Sequence, residues 1–175
     1  MNCLQSLRDY LQSQAIQEGS VEVLTDDTPG IPIGKKRNDL VHAATGEYVC
    51  FVDDDDRVSK NYIRNILSAV KSSPDVVGLN GVIFFSSNYP RKFIHSIQCS
   101  GWVDAPPVYY RTPNHLNPIR RELVLDCPFN SLSSHGEDRE FSDDIRSLLK
   151  KEVYVDSPLY YYMSSLALCV NRYLK

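Results

Sequence analysis

Four consecutive carboxylates, Asp53-Asp-Asp-Asp56, stand directly after the apolar run Tyr48-Val-Cys-Phe-Val52. Like charges this close repel one another, and an unpaired carboxylate does not enter an apolar interior. The cluster therefore calls for a cation. Hard divalent ions such as Mg²⁺ and Mn²⁺ take carboxylate oxygens, few from the protein and the rest from water and substrate. The same four residues would also read as a solvated acidic turn capping a helix that starts near Ser59. An EF-hand loop is excluded: it needs Gly at its sixth place and Glu at its twelfth, where Val58 and Arg64 stand. Asp26 and Asp27 follow a second apolar run and precede Pro29, so an Asx-type turn is one reading of them. Lys35, Lys36 and Arg37 form a basic step on a helix, with Lys35 and Lys36 read as its exposed face. Glu137 and Asp138 open another helix, where a carboxylate is favourable in its own right. His115 lies in the polar segment Arg111 to Arg121. It reads either as a structural histidine or as a group at the metal or acceptor. Trp102 reads as packing or as a stacking platform for a ligand.

The elements that must position these residues follow from periodicity. Leu4, Leu7, Leu11 and Ala15 predict an amphipathic helix over 2–17. Val21-Glu-Val-Leu24 predicts a short strand. Gly34 opens a helix over 34–45 with Leu40, Val41, Ala43 and Ala44 on its apolar side and Gly46 at its C′ position. Tyr48 to Val52 reads as a strand buried on both faces, ending where open α/β sheets place their ligands. Ser59 predicts the N-cap of a helix to about Lys71. Val76 to Phe85 predicts a strand or strand pair broken near Asn80-Gly81, followed by loops and short strands to Thr112. Pro118 opens a helix to about Leu125. Helices over 136–150 and 164–174 and a strand at Val153-Tyr-Val155 complete the reading. Early alternation of strand and helix predicts a mainly parallel or mixed central sheet flanked by helices.

The stretch from Gly34 to Asp56, Gly-Lys-Lys-Arg-Asn-Asp-Leu-Val-His-Ala-Ala-Thr-Gly-Glu-Tyr-Val-Cys-Phe-Val-Asp-Asp-Asp-Asp, resembles the central signature of glycosyltransferase family 2. There a helix bearing Arg-Asn leads through Ala-x-Gly-Glu-Tyr to a strand ending in Asp-x-Asp. Gly136-Glu-Asp-Arg-Glu-Phe-Ser142 resembles that family's later Glu-Asp motif, and the two segments stand in the family's order. The resemblance runs from about Val21 to about Leu149. Arg111 to Arg121 is similar to the acceptor-side region of small members found in phage and large-virus genomes. The resemblance implies a single GT-A-like domain over 1–175 and metal-assisted, inverting transfer of a hexose from a nucleoside-diphospho sugar, UDP first, to a hydroxyl. It implies Mn²⁺ or Mg²⁺ at Asp53 and Asp55, with Asp56 able to replace either. Asp26, Asp27, Arg37 and Asp53 are implied as contacts to the nucleotide, and Asp138 as the general base. Family members normally open with a strand ahead of the first helix, which helps hold the nucleotide; this sequence starts just before that helix.

Two other readings of the residues remain. One is a non-catalytic module of the same fold that has lost donor binding. The other is a haloacid-dehalogenase-type phosphatase, since Asp54-Asp-Asp-Arg-Val58 resembles that family's nucleophile motif, but it gives no reason for the Lys-Arg-Asn helix. At 175 residues one domain is expected. A formal charge of -3 makes no electrostatic case for nucleic acid or an anionic membrane. Five scattered cysteines with no Cys-x-x-Cys spacing suggest neither a zinc site nor a disulfide framework. A soluble, cytoplasmic protein is the expectation.

Overall fold

The computed structural model of the chain describes residues 3–85, 89–133 and 136–163. Its elements in chain order are α1 (Cys3–Glu18), α2 (Ile33–Ala43), β1 (Tyr48–Val49), β2 (Arg57–Val58) and α3 (Tyr62–Val70). Then follow β3 (Val76–Phe84), β4 (Arg91–His95), β5 (Val103–Ala105), β6 (Val108–Arg111) and β7 (Ile119–Arg120), and finally α4 (Arg121–Asp126), α5 (Glu137–Ile145) and β8 (Glu152–Met163). The helix expected over 164–174 lies outside the described residues.

The fold is mixed α/β, as expected, with more antiparallel pairing than a mainly parallel sheet would have. Among the described residues only the β3–β8 and β4–β6 ladders are parallel. β3 is the spine: β8 runs along one edge, and β7 and then β4 share the other. Its nine residues are continuous, so the break expected at Asn80-Gly81 is instead a shift in register against β8. Asn80 Nδ2 donates to the carbonyl of Asp156 there and fills the bulge.

The sheet separates two apolar clusters, which explains why the run at 48–52 is apolar throughout. Cys50 and Val52 pack with Leu11, Ala15, Tyr62 and Ile63 on one face. Val49 and Phe51 pack with Val41, Phe129 and Phe141 on the other. α2 reaches its place because Gly34 has no side chain: a Cβ there would lie 2.1 Å from the carbonyl oxygen of Asn130. Two capping expectations are corrected. α2 ends at Ala44 in an extended conformation, so Gly46 is not a C′ glycine. α3 starts at Tyr62 with Asn61 ahead of it, so Ser59 is not the N-cap.

The strand expected at Val21 to Leu24 forms no ladder among the described residues. It lies across a cleft of about 730 Å³ from Tyr48 to Val52. β1 pairs with β7 on one side, and the Phe51 amide donates to the His115 carbonyl on that same side. Successive residues of a strand point their amides to opposite edges. Cys50 and Val52 therefore turn theirs toward the cleft, where they have no backbone acceptor among the described residues. The segment at 21–24 is fastened by a side chain instead. Glu22 Oε1 accepts from the amides of Thr45 and Gly46 and from the Thr45 hydroxyl.

Candidate active site

Asp53 ends the apolar run, and residues from three other elements converge on it. Arg37 comes from the middle of α2. It is 4% exposed, and its guanidinium lies 5.7 Å from the Phe51 ring centroid and 5.5 Å from that of Phe129. Nη2 reaches Asp53 Oδ1 at 3.2 Å. Nη1 reaches Glu137 Oε1 at 2.9 Å and Asp138 Oδ1 at 2.5 Å. His115 lies between β6 and β7. Its Nε2 is 3.3 Å from Asp53 Oδ2, and its Nδ1 is 2.7 Å from Asp138 Oδ1. The second approach is close but badly aligned for a straight N–H···O bond, so it is an ion-pair contact that leaves Nδ1 without a well-directed acceptor.

Burial alone would raise Asp53, but the bond to His115 and the charge of Arg37 outweigh it and hold the carboxyl at about 2. Asp138 is also lowered, by the same two partners acting against burial. Burial and the Arg37 charge lower His115, but Asp138 and Asp53 reverse this and leave it above its ordinary value. The corner therefore favours the ionised forms of Asp53 and Asp138 and the protonated form of His115 around one arginine.

The four aspartates divide. Asp56 is fully buried; its Oδ2 accepts from Tyr160 Oη at 2.6 Å and its Oδ1 from the Met163 amide at 2.7 Å. This corrects the expectation of Asp56 as a metal ligand, because both oxygens anchor β8. Burial, opposed by these bonds, pushes its carboxyl up to about 6. Asp55 differs: desolvation and the charges of Asp53 and Asp54 raise it, and no side chain bonds it among the described residues. A carboxylate in that state is relieved by a cation. Among the described residues no group of three or more His, Cys, Asp or Glu side chains is arranged to hold a metal. Asp55 is thus open to a cation, whereas both oxygens of Asp53 already face Arg37 and His115.

The cleft beside Tyr48 to Val52 opens at Asp53. Asp26, Asp27 and Lys36 stand along its wall. Asp26 Oδ1 accepts from the Thr28 amide at 2.9 Å, so the Asx-type turn is formed, and that bond lowers its carboxyl. Lys36, read from sequence as an exposed helix face, is half-buried and lines the cleft, while Lys35 pairs with Asp39 at the surface. Arg37 was expected to reach the nucleotide, but its guanidinium is already shared among three carboxylates. Sequence reasoning thus missed Lys36 as a cleft residue and Glu137 as a partner of Arg37. Trp102 donates from Nε1 to Ser142 Oγ, with the Arg111 guanidinium 4.9 Å from its ring centroid, and so serves packing.

The fold is shared with known structures. The chain resembles Staphylococcus aureus TarS residues 1–349, with a TM-score of 0.60 at 21% identity, over 87% of this chain and 47% of that one. The same protein in complex with UDP-GlcNAc matches with a TM-score of 0.60 at 20% identity, over 87% of this chain and 46% of that one. In sequence the chain is 26% identical over 180 residues to the putative glycosyltransferase EpsH of Bacillus subtilis (strain 168), covering 95% of this chain and 51% of EpsH. The chain therefore spans about half the length of the relatives it matches. Residues 2–134 match the sequence profile of glycosyl transferase family 2. By that match, over well more than half its length, the chain belongs to glycosyl transferase family 2.

Proposed function

We propose that this chain, or the protein it is part of, moves a hexose from a nucleoside-diphospho sugar to an acceptor hydroxyl with inversion. The observation that carries the reading is the corner itself: Asp53 at the strand end and Asp138 at the start of α5 face one another through Arg37 and His115. The donor would lie in the cleft, its base near Asp26 and Asp27 and its phosphates toward Lys36 and Asp53. A UDP sugar is the first candidate, because the structural relative TarS is seen in complex with UDP and with UDP-GlcNAc. Asp53 and Asp55 would hold a divalent ion, which would neutralise charge on the departing diphosphate.

Asp138 would take the proton of the acceptor hydroxyl as that oxygen attacks the anomeric carbon. Its lowered pKa keeps it ionised and ready, though weakly basic. An acceptor that displaces part of the Arg37 or His115 contact would make it a stronger base at the moment of transfer.

The test is transfer or hydrolysis of UDP sugars with Mn²⁺, in wild type and in Asp138→Asn. General-base catalysis typically contributes ~10²–10⁴-fold, and the variant should lose that much while donor affinity stays within about two-fold. Equal turnover in the two proteins would remove Asp138 from the mechanism. A wild type that binds neither UDP nor any sugar nucleotide would favour the non-catalytic module.

A further inference from the structure

His115 touches both halves of the corner, and the chain invests heavily in placing it. Thr112, Asn114, His115 and Asn117 are all buried, an unusual density of polar side chains for a loop interior. The threonine, the two asparagines and the His115 backbone are bonded in ways that stiffen the loop. Asn117 Oδ1 accepts from the Asn114 amide, and Asn117 Nδ2 donates to the Val77 carbonyl on β3. Asn114 Oδ1 accepts from the Leu116 amide, and Thr112 Oγ1 bonds Ser142 Oγ on α5. The His115 carbonyl accepts from the Phe51 amide, two residues before Asp53. The ring is thereby fixed to the strand end on one side and to α5 on the other, with one nitrogen toward each acid.

We propose that His115 is a positioning residue that sets the placement of Asp138 against Asp53, its Nδ1 holding the acceptor-side acid and its Nε2 the donor-side acid. This rests on the transfer reaction proposed above and adds a role for the imidazole within it. The ring acts as a spacer: it fixes the two carboxylates at one separation whether or not Arg37 shifts among its three partners.

The two nitrogens can be tested one at a time. In Asn the amide nitrogen falls near the position of Nδ1, and in Gln near that of Nε2. His115→Asn keeps a donor toward Asp138 and abandons Asp53; His115→Gln does the reverse. The expected outcome is a crossed pattern. H115N should raise the donor KM about ten-fold, with a smaller fall in kcat. H115Q should lower kcat about ten-fold or more, with donor KM near that of wild type. Crystal structures of both variants give a readout independent of turnover. Asp138 should leave its wild-type position in H115Q and keep it in H115N. The same kinetic profile in both variants, or an unmoved Asp138 in H115Q, would overturn the inference and leave His115 as packing. A wild type without transfer activity would defeat the proposed reaction instead; the position of Asp138 in the two variants would still decide the spacer role.

Discussion

The corner at Asp53 and the cleft wall at Val21 to Leu24 lie side by side and are built in opposite ways. In the corner every charged group has a partner from a distant element: Arg37 joins residues 16, 100 and 101 positions away in the chain. Along the cleft, two extended segments face each other with backbone groups turned into open space, and Glu22 is the tie between them. The acids of the proposed reaction are thus fixed before substrate arrives, and the wall proposed for the donor is not. Preorganisation raises catalytic efficiency where charge develops, whereas a wall without a ladder gives affinity that depends on what fills it.

The largest expected effect lies in the corner. Arg37→Ala leaves Asp53, Glu137 and Asp138 around an empty position. Stranding buried charge costs about 3–5 kcal/mol, and melting should fall by on the order of 10 °C for a domain of this size. Arg37→Lys should fall between, since an ammonium cannot fork among three carboxylates. If Arg37→Ala melts like wild type, the corner is not the rigid part and the contrast fails.

A second, intermediate effect concerns pH. The Asp56 carboxyl, raised to about 6 in the folded chain, binds its proton more tightly there than in the unfolded chain. Its contribution to stability is therefore full below the ordinary carboxylate range and declines as pH rises toward about 6. Asp53, held at about 2, acts in the opposite sense: its contribution is present above the ordinary range and is lost as pH falls toward about 2. Denaturation in chelator from pH 4 to 7 should show wild type losing on the order of 1–3 kcal/mol relative to Asp56→Asn. Parallel curves for the two proteins would show that Asp56 does not titrate in that window.

The smallest effect belongs to the cleft. Lys36→Ala should weaken UDP binding roughly five-fold, about 1 kcal/mol, with no change in melting, because the ammonium has no ion pair to lose among the described residues. Calorimetry at low and high salt checks it. Unchanged affinity would mean that the phosphates lie elsewhere.

Local signals were legible and long-range ones were not. The helices at α1 and α2 and the apolar run ending in Asp53 were readable because periodicity and turn chemistry act over a few residues. β8 was not: Asp156-Ser-Pro158 looks like a turn, and only the bulge opposite Asn80 explains why the strand runs through it. β7, two residues beside Pro118, is too short to carry a pattern, yet it puts an antiparallel strand between β1 and β3. The motifs pointed to Asp53 and Asp138, which the structure brings to one corner. The burial of Arg37, the anchoring role of Asp56 and the two-sided contact of His115 depend on pairings up to about a hundred residues apart, which spacing along a chain does not encode.

Glu22 carries a consequence for how the molecule opens. A strand inside a ladder exchanges its amide hydrogens only when the ladder breaks, but Val21 to Leu24, held by the Glu22 carboxylate on Thr45 and Gly46 and by the packing of Val21 and Val23, can come away without breaking one. Acidification should therefore free this stretch ahead of the body, since those bonds hold the Glu22 carboxyl below its usual range. Hydrogen exchange would then report two cooperative units, a readily opened flap over the cleft and a slow core around Val76 to Phe84. Once opened, the flap would bare the edge at Cys50 and Val52, a surface on which a second unpaired strand can grow.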